Sequence, residues 1–481
     1  MLKELFISNP ELKRNIWLEL TPGRLIIMPL VLGAIFFVAG YPYLAESYLT
    51  CLIILRLVSV LIFGGLVFVW GTKLCCESLI DEVNQRTWDS QRVTSSSPWE
   101  MVIGKLFGST IYPWYGGMFC IAVWFVSSLY LFKTVTHIKL LVITICAGVL
   151  IHAVSLLLVL IGIRRGRDRK KINSSFYFLG PLILLLLFIG PKAKYFDNIY
   201  HSINLYGLSS IFQESEITWY MFEFSYPDFV MFMLLIFLIW AFVGLYRNMR
   251  TEFQFSNGPW VWVSFLMTLM ICCSGFTANI RGLKFTDYLM AGLCLSLGIG
   301  IVITYITAFC EPKNIVGFRL LADNIRKRDW REFQRNLPLW MITFIVTFAL
   351  WVIIFTVLLV KNKTALPEEI GVLSAIYFFN LLCFWLRDLC LLIYVNLKKA
   401  SVRADIAALI YLLIFYLLPA ILLSESGNDA LLAVFLPVFR SSLINGTLPV
   451  LVQFLFIFLL LSRCWRIKSR IPDNGAENKT A

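Results

Sequence analysis

Long runs of apolar residues alternate with short polar segments along almost the whole chain of 481 residues. Runs of about 18 to 25 residues match the length that an α-helix needs to cross about 30 Å of hydrocarbon. The pattern therefore predicts an all-α, polytopic membrane protein with about twelve transmembrane helices. The predicted spans are approximately 25–44, 50–71, 109–132, 140–163, 174–190, 228–246, 259–278, 288–309, 339–360, 371–395, 405–423 and 447–462.

Basic residues are unevenly distributed over the segments that join these spans. With both termini in the cytoplasm, the inner segments hold 31 of the 42 Lys and Arg residues and the outer loops hold 8; Arg56, Arg387 and Arg440 lie in apolar stretches. Cytoplasmic loops of membrane proteins carry such an excess. We therefore expect an inner or plasma membrane protein with both termini cytoplasmic. The net charge of +13 then reflects orientation, and the basic clusters at membrane exits indicate lipid headgroups rather than nucleic acid.

Composition narrows the possible functions further. A chain that is 59% hydrophobic and 15% charged has too little polar surface for a soluble fold. The twelve cysteines form no C-x-x-C pair and the three histidines are scattered, so we predict no metal site. No P-loop, G-x-S-x-G or H-E-x-x-H motif occurs, which predicts no catalytic residue and no cofactor bound by this chain.

A short polar segment before the first span predicts an amphipathic helix over residues 10–20. Asn9 is a typical N-cap, Pro10 fits the first helical position, and Glu11 faces the positive end of the helix dipole. Leu12, Ile16 and Leu20 share one face. Such a helix lies in the membrane interface. It serves either as a simple anchor or as an elbow toward a cytoplasmic partner.

The polar segment 77–105 between the second and third spans stands out most. Ser97-Pro98-Trp99-Glu100 predicts a capping box at the start of the third helix. Upstream, we expect a short helix that presents Trp88, Asp89 and Arg92 to another protein, because Trp and Arg are frequent binding anchors. The alternative is an ordinary polar loop with an interfacial Trp.

The order of these parts resembles the permease subunits of ABC-2-type exporters. The resemblance covers roughly the first 250 residues and rests on NPELKRNIWLELTP and ESLIDEVNQRTWDSQRVTSSSPWEMVIGKLFGS. In that family the second segment is a coupling helix seated in a groove of a separate ATPase. The residues that match this element are Glu82, Thr87, Trp88, Asp89, Gln91, Arg92, Pro98 and Lys105.

The resemblance implies a transport component that is not itself an enzyme. A separate ABC ATPase subunit would hold ATP and Mg²⁺, and the resemblance leaves room for a further permease or accessory subunit. Such permeases have about six spans, whereas about twelve are predicted here. We therefore divide the chain into a permease-like half, 1–250, and a second six-span half, 251–481, which is either a degenerate repeat or an unrelated extension.

The second half contains a segment that parallels the coupling segment. RKRDWREFQRNLPLW follows the eighth predicted span, and its Trp330, Gln334, Arg335 and Pro338 correspond to Trp and polar residues of the first half with different spacing. This segment predicts a second coupling loop. Ala430–Phe439, before the last span, is too short to cross and predicts a re-entrant or surface helix.

Two charges lie deep in an apolar stretch, and they raise alternative functions. Arg387 and Asp388 are adjacent, and because adjacent helical residues do not face each other, we expect them not to neutralise one another. Either Asp388 pairs with another span, or the segment from Arg387 to Lys399 is an interfacial helix after a shorter span. An ion-coupled secondary transporter would use Asp388 as its coupling site. A lipid or sugar transferase would use the outer segment Lys192–Asp228, with Asp197, Glu214, Glu216 and Glu223.

Overall fold

The computed structural model of this protein describes residues 9–45, 47–93, 97–129, 134–166, 216–220, 222–276, 285–311, 313, 315–361, 368–398, 402–424, 429–437 and 447–469. Its internal contacts divide the chain into two units. One comprises Met1–Thr218 and Phe222–Asn257, and the other comprises Trp219–Met221 and Gly258–Ala481.

The described part of the first unit consists mainly of helices. In chain order they are α1 (Pro10–Glu19), α2 (Pro22–Leu44), α3 (Tyr48–Phe63), α4 (Thr72–Asn84), α5 (Trp88–Arg92), α6 (Pro98–Ile103), α7 (Ile111–Leu129), α8 (Thr134–Gly166) and α9 (Tyr226–Glu252). Two π-helical segments interrupt them: Gly64–Gly71 joins α3 to α4, and Gly104–Gly108 follows α6. Before α9, β1 (Glu216–Trp219) and β2 (Phe222–Ser225) form a two-stranded sheet.

The second unit is also mainly helical in its described residues, apart from Trp219 at the end of β1 and the short segments between helices. Its helices are α10 (Trp260–Ser274), α11 (Phe285–Cys310), α12 (Ile315–Lys327), α13 (Trp330–Asn336), α14 (Leu339–Lys361), α15 (Glu368–Lys398), α16 (Val402–Ser424), α17 (Asp429–Phe435) and α18 (Leu448–Ser469).

Most of the predicted spans coincide with long apolar helices. Nine helical runs in the described ranges are long and apolar enough to cross a membrane: Pro22–Leu44, Tyr48–Asn84, Ile138–Arg164, Tyr226–Glu252, Tyr288–Cys310, Leu339–Val360, Ala375–Lys398, Ala404–Leu422 and Leu448–Lys468. A helix of about 20 apolar residues spans the hydrocarbon. The prediction of an all-α, polytopic integral membrane protein is therefore confirmed.

Three of the twelve predicted spans do not correspond to any of these nine helical runs. Residues 109–132 correspond to α7, which has 19 residues and starts with a mixture of Tyr, Pro, Trp and Gly that lowers its hydropathy. Residues 259–278 correspond to α10, which has 15 residues. The predicted span 174–190 lies outside the described residues.

The core of the first unit lies between α4, α6, α8 and α9. Cys75, Leu79, Val102, Leu160 and Leu245 are buried together there. The helices α8 and α9 pack along each other more extensively than any other pair described in this unit. This core holds the start of the third helix, where the predicted coupling segment 77–105 ends.

The π-helical segment before α4 is held by a buried histidine. His152 Nε2 lies 2.8 Å from the carbonyl oxygen of Val67. A Cβ on Gly71 would lie 3.0 Å from the same nitrogen, so this position has little room for a side chain. Segments of π-helix are rare and frequently occur at functional sites. This one lies directly before the helix that leads into residues 77–105.

The second unit has its own aromatic core. Trp340, Trp351, Ile354, Trp385 and Leu392 are buried in one cluster. The pair α15 and α18 packs most extensively among the helices described here, followed by α11 and α14. The helix α17 has only 7 residues, which fits the expected re-entrant or surface helix.

Candidate functional site

The start of α1 is fixed to the start of α6 by one side chain. Asn9 Oδ1 accepts from the backbone N–H groups of Glu11 at 3.0 Å and Leu12 at 3.1 Å. Its Nδ2 donates to the carbonyl oxygen of Glu100 at 2.8 Å. The predicted N-cap is thus confirmed, and the same residue also joins two helices that are distant in sequence.

A buried lysine forms the centre of the site. Lys105 is 1% exposed, and its Nζ pairs with Glu11 Oε1 at 2.8 Å and with Glu82 Oε1. Arg14 Nη2 lies 2.8 Å from Glu11 Oε1 and 3.0 Å from Glu82 Oε1, and Gln91 Nε2 donates to Glu82 Oε1 at 2.8 Å. We call these five residues, Glu11, Arg14, Glu82, Gln91 and Lys105, the ionic cluster.

The ionic cluster has no net charge, because its two carboxylates balance its two cations. Burying an unpaired charge costs several kcal/mol, whereas a paired and hydrogen-bonded charge is tolerated. Its members come from α1, α4, α5 and the segment Gly104–Gly108. The cluster therefore fixes the relative positions of these four elements.

Two glycines allow α1 to approach the segment Gly104–Gly108. A Cβ on Gly104 would lie 2.5 Å from Glu11 Cγ, and a Cβ on Gly108 would lie 2.7 Å from Asn15 Cβ. Asn15 Nδ2 also donates to the carbonyl oxygen of Gly104 at 3.2 Å. Any larger residue at these two positions would push α1 away and separate Glu11 from Lys105.

The third helix begins as the sequence predicts. Ser97 accepts from Glu100 N–H, and Glu100 Oε2 accepts from Ser97 N–H, so the capping box is confirmed, with Pro98 in the first turn. Trp99 stacks on Tyr246 with ring centroids 4.6 Å apart. The start of α6 is therefore anchored to α9 as well as to α1.

The predicted short helix exists as α5, but its Trp is turned inward. Trp88 is 4% exposed and packs in the same core as Leu79 and Met101. The prediction that Trp88 is presented to another protein is therefore wrong for this structure. A five-residue helix is too short to show a periodicity that would have revealed which face is buried.

Arg92 also faces the interior of the first unit. Its Nη1 lies 3.6 Å from Glu252 Oε2, and its Nη2 pairs with Asp89. Arg164 Nε approaches the same Glu252 at 3.7 Å. Arg92 thus ties α5 to the end of α9 and is not presented as predicted, while Asp89 remains largely exposed.

The exposed part of the segment is a polar tip. We define the tip as Asp81, Asn84, Gln85, Arg86, Thr87, Asp89, Ser90 and Val93, all of which are exposed. Arg86 has a positive φ of 60°. The bonds Arg86 N–H to Val83 O at 3.2 Å and Thr87 N–H to Glu82 O at 2.9 Å complete a Schellman motif that ends α4.

The corresponding segment of the second unit is more exposed. Trp330 begins α13 and is 59% exposed, and its ring lies 6.0 Å from that of Phe333. Asp329 caps the helix by accepting from Glu332 N–H at 3.2 Å. Gln334 and Arg335 are exposed. Pro338 comes directly before α14 and is half-buried.

The two intramembrane charges form a pair within α15. Arg387 Nε donates to Asp388 Oδ1 at 2.9 Å, so the expectation that they do not neutralise one another is wrong. Adjacent Cβ atoms on a helix point in different directions, but the long arginine side chain curls back to its neighbour. Asp388 Oδ2 accepts from Tyr305 and Tyr416, and Arg387 Nη1 donates to Gln453 at 2.7 Å.

The structure brings together three residues of the predicted coupling element, Glu82, Gln91 and Lys105. Of the others, Thr87 and Asp89 lie at the tip, and Pro98 starts α6. Sequence reasoning missed Glu11 and Arg14 as members of the ionic cluster. The signal was present: a lysine at the entrance to an apolar helix requires counter-charges. For the outer segment proposed for a transferase, Asp197 and Glu214 lie outside the described residues.

Comparison with known protein families, with curated proteins and with solved structures finds no match for this chain.

Replacement of Lys105 by Met should destabilise the protein strongly. It leaves the largely buried carboxylates of Glu11 and Glu82, with side chains 10% and 12% exposed, with less compensation, at a cost of about 3–5 kcal/mol. The matched control is Lys73→Met, whose ion pair with Glu77 is exposed and long at 3.8 Å and is worth about 1 kcal/mol or less. Thermal stability in detergent, measured by size-exclusion chromatography, should fall far more for Lys105→Met. Equal losses would show that the ionic cluster is not a stabilising centre.

Replacement of Trp88 by Ala should also destabilise the fold, by about 3–5 kcal/mol, because it opens a cavity in the core. The control Val93→Ala truncates a tip side chain that is 85% exposed and should change stability by no more than about 0.5 kcal/mol. The same chromatographic assay compares the two variants. A Trp88→Ala protein as stable as the wild type would place this side chain outside the core.

Proposed function

We propose that this chain is the permease of an ABC-type export system, driven by ATP that a separate ATPase subunit hydrolyses. The observation that carries the proposal is the ionic cluster. It joins α1, α4, α5 and the segment Gly104–Gly108 through Lys105, Glu11 and Glu82, and leaves a polar tip exposed beyond them. A rigid polar element at the end of membrane helices is what a cytoplasmic motor needs to act upon.

The tip supplies the contact surface in this proposal. Trp88 and Arg92 hold α5 against the first unit, since the side chains of both residues face its interior. Asp89, Arg86 and Thr87 are available to a partner. Buried supporting residues with exposed polar neighbours give a partner a surface of fixed shape, which lowers the entropic cost of binding.

Force on the tip reaches the membrane through charged contacts. A displacement of α5 pulls on Glu82 through Gln91, and Glu82 is paired with Lys105 at the entrance to the third helix. The same movement pulls on α1 through Arg14 and Glu11. ATP binding in the partner would thereby favour one of two helix arrangements over the other, without chemistry in this chain.

A repeated backbone motif supports twelve spans arranged as two six-span halves. Arg86 and Arg328 both have positive φ, at 60° and 56°. Each stands two residues before a Trp that starts a short helix, α5 or α13. Asp329 N–H bonds to Asn324 O at 3.0 Å, as Thr87 N–H bonds to Glu82 O at 2.9 Å. A non-glycine residue in this conformation is uncommon, so its recurrence before Trp favours a duplication.

The helix pairs of the two units also correspond. In the first unit the most extensive pairings are α8 with α9, α3 with α7, and α2 with α3. In the second they are α15 with α18, α11 with α14, and α10 with α11. Each half can be numbered as six spans. In the first half they are α2, α3, α7, α8, the predicted span 174–190 and α9, and in the second they are α10, α11, α14, α15, α16 and α18. In both halves the most extensive pairings are then those of the fourth span with the sixth, the second with the third, and the first with the second.

The two coupling-like elements differ in how they are held. Trp88 is buried, whereas Trp330 is exposed and α13 has no buried residue. In this proposal the first element, with Glu82, Thr87, Asp89, Gln91 and Lys105, is the principal ATPase contact, and α13 is a second contact. Both would lie in the cytoplasm, with the chain in an inner or plasma membrane.

Site-specific crosslinking tests the proposal directly. A photoreactive benzoylphenylalanine at position 90, on the tip, should form an adduct with a protein that mass spectrometry identifies as an ATPase with a Walker A motif. The control places the same residue at position 48, an exposed site at the start of α3, and should give no such adduct.

The adduct at position 90 should fall at least about tenfold when Arg86 and Asp89 are reversed in charge, since buried interface charges are worth about 1.4 kcal/mol or more. The proposal fails if no ATPase is captured at position 90, or if positions 48 and 90 capture it equally. Each variant must first elute as folded protein from the size-exclusion column, so that a lost adduct reports a lost contact and not a lost fold.

A further inference from the structure

The end of α12, the turn after it and α13 form an exposed basic surface. We call this surface the second tip and define it by its exposed residues Arg326, Lys327, Arg328, Asp329, Trp330, Arg331, Gln334, Arg335 and Asn336. It contains five basic residues and one acidic residue, whereas the tip of the first unit contains one basic residue and two acidic residues. The second tip therefore has a formal charge of +4 and the first tip a formal charge of −1.

Most of the positive charge of the second tip is not neutralised by neighbouring side chains. Arg335 Nη1 pairs with Glu332 Oε1 at 2.6 Å. In the described part of the chain, the other four basic side chains of the second tip form no ion pair: Arg326, Lys327, Arg328 and Arg331. Uncompensated charges of one sign attract a partner of the opposite sign and repel one of the same sign. A partner that binds here must therefore offer acidic groups.

An exposed tryptophan lies among these charges. Trp330 is 59% exposed, whereas Trp88, which starts the corresponding helix of the first unit, is 4% exposed. Tryptophan and arginine are among the side chains that contribute most often to binding energy at protein interfaces. An indole ring between basic side chains fits an apolar pocket with an acidic rim, which is a feature of a protein surface.

The start of α12 fixes the second tip to the long apolar helices. The ring of Phe318 lies 6.5 Å from that of Trp340, at the start of α14, and 6.4 Å from that of Trp465, near the end of α18. Arg319 Nη2 also donates to the carbonyl oxygen of Lys468. A partner therefore meets a surface that is already held in place, which lowers the entropic cost of binding.

Comparison with the first unit favours a protein partner over lipid headgroups. There α4 continues the membrane helix α3 in one run, Tyr48–Asn84, of 37 residues. Such a run is about 55 Å long, about 10 Å more than a bilayer with its headgroups, so its end extends beyond the membrane surface. Arg86 and Arg328 give α4 and α12 the same backbone motif at their ends, which indicates that the second tip extends in the same way.

We infer that the second tip binds an acidic surface of the ATPase, and that the first tip binds a different surface. This inference rests on the proposed function and gives the chemistry of its second contact. An acidic surface that attracts Arg326 and Arg331 would repel the exposed Asp81 and Asp89 of the first tip. The ATPase side therefore presents two unlike surfaces to the two units of the chain.

Site-specific crosslinking of the full-length chain in membranes of the native host tests the inference. Photoreactive benzoylphenylalanine replaces Gln334, one helical turn from Trp330, and in a second protein it replaces Ser90 in the first tip. Mass spectrometry maps the captured peptides. Position 334 should capture an ATPase with a Walker A motif through a peptide of net negative charge, and position 90 should capture an ATPase through a different peptide.

Two triple variants separate the effect of charge from that of shape. Arg326→Glu, Lys327→Glu and Arg331→Glu together reverse the charge and should lower the adduct at position 334 at least about tenfold. The matched control combines Arg326→Lys, Lys327→Arg and Arg331→Lys, which keeps the charge at the same positions and should leave the adduct within about twofold. Each variant must elute as folded protein from a size-exclusion column before the adducts are compared.

Three results would overturn the inference: an adduct at position 334 that charge reversal leaves within about twofold, the same peptide captured at positions 90 and 334, or a phospholipid captured at position 334 instead of an ATPase. If position 90 captures an ATPase in any of these cases, the proposed function stands and only the inference fails. If neither position captures an ATPase, both fail. Should the charge-reversed variant not fold, the peptides captured by the protein without these substitutions decide.

Discussion

The structure of the first unit depends on one constraint: a lysine is buried where the third helix enters the apolar core. Lys105 cannot be placed there unless carboxylates reach it. Glu11 comes from α1 and Glu82 from the end of α4, so these two helices converge on the same residue. The tip and its orientation follow from that requirement.

The constraint explains several features that look unrelated in the sequence. Gly104 and Gly108 are small because α1 must approach the backbone closely enough for Glu11 to reach Lys105. Asn9 both caps α1 and holds α6. Arg86 ends α4 with a positive φ, which turns the chain back so that Gln91 can reach Glu82. The second unit solves a similar problem differently, since Arg387 and Asp388 balance each other within one helix.

Sequence patterns predicted those parts of the fold that local chemistry determines. The length of the apolar runs predicted the nine long apolar helices, and the residue types at Asn9 and Ser97 predicted the N-caps of α1 and α6. Trp88 was misplaced because tryptophan is common both in cores and at binding surfaces, and a five-residue helix shows no periodicity. The pairing of Arg387 with Asp388 was missed because side-chain length was ignored. The convergence of Glu11 on Lys105 links residues 94 positions apart. A lysine at the entrance to an apolar helix indicates that counter-charges are needed, but no local pattern indicates which residues supply them.

Hydrogen–deuterium exchange of Lys105→Met tests the central claim most directly, with Lys73→Met as the control. If the ionic cluster holds α1 and α5 in place, Lys105→Met should speed amide exchange in residues 10–19 and 88–92 together, by at least about tenfold. That factor corresponds to a loss of about 1.4 kcal/mol of local stability. Lys73→Met should leave both segments as in the wild type. Unchanged protection of both segments in Lys105→Met, or loss in only one of them, would contradict the account.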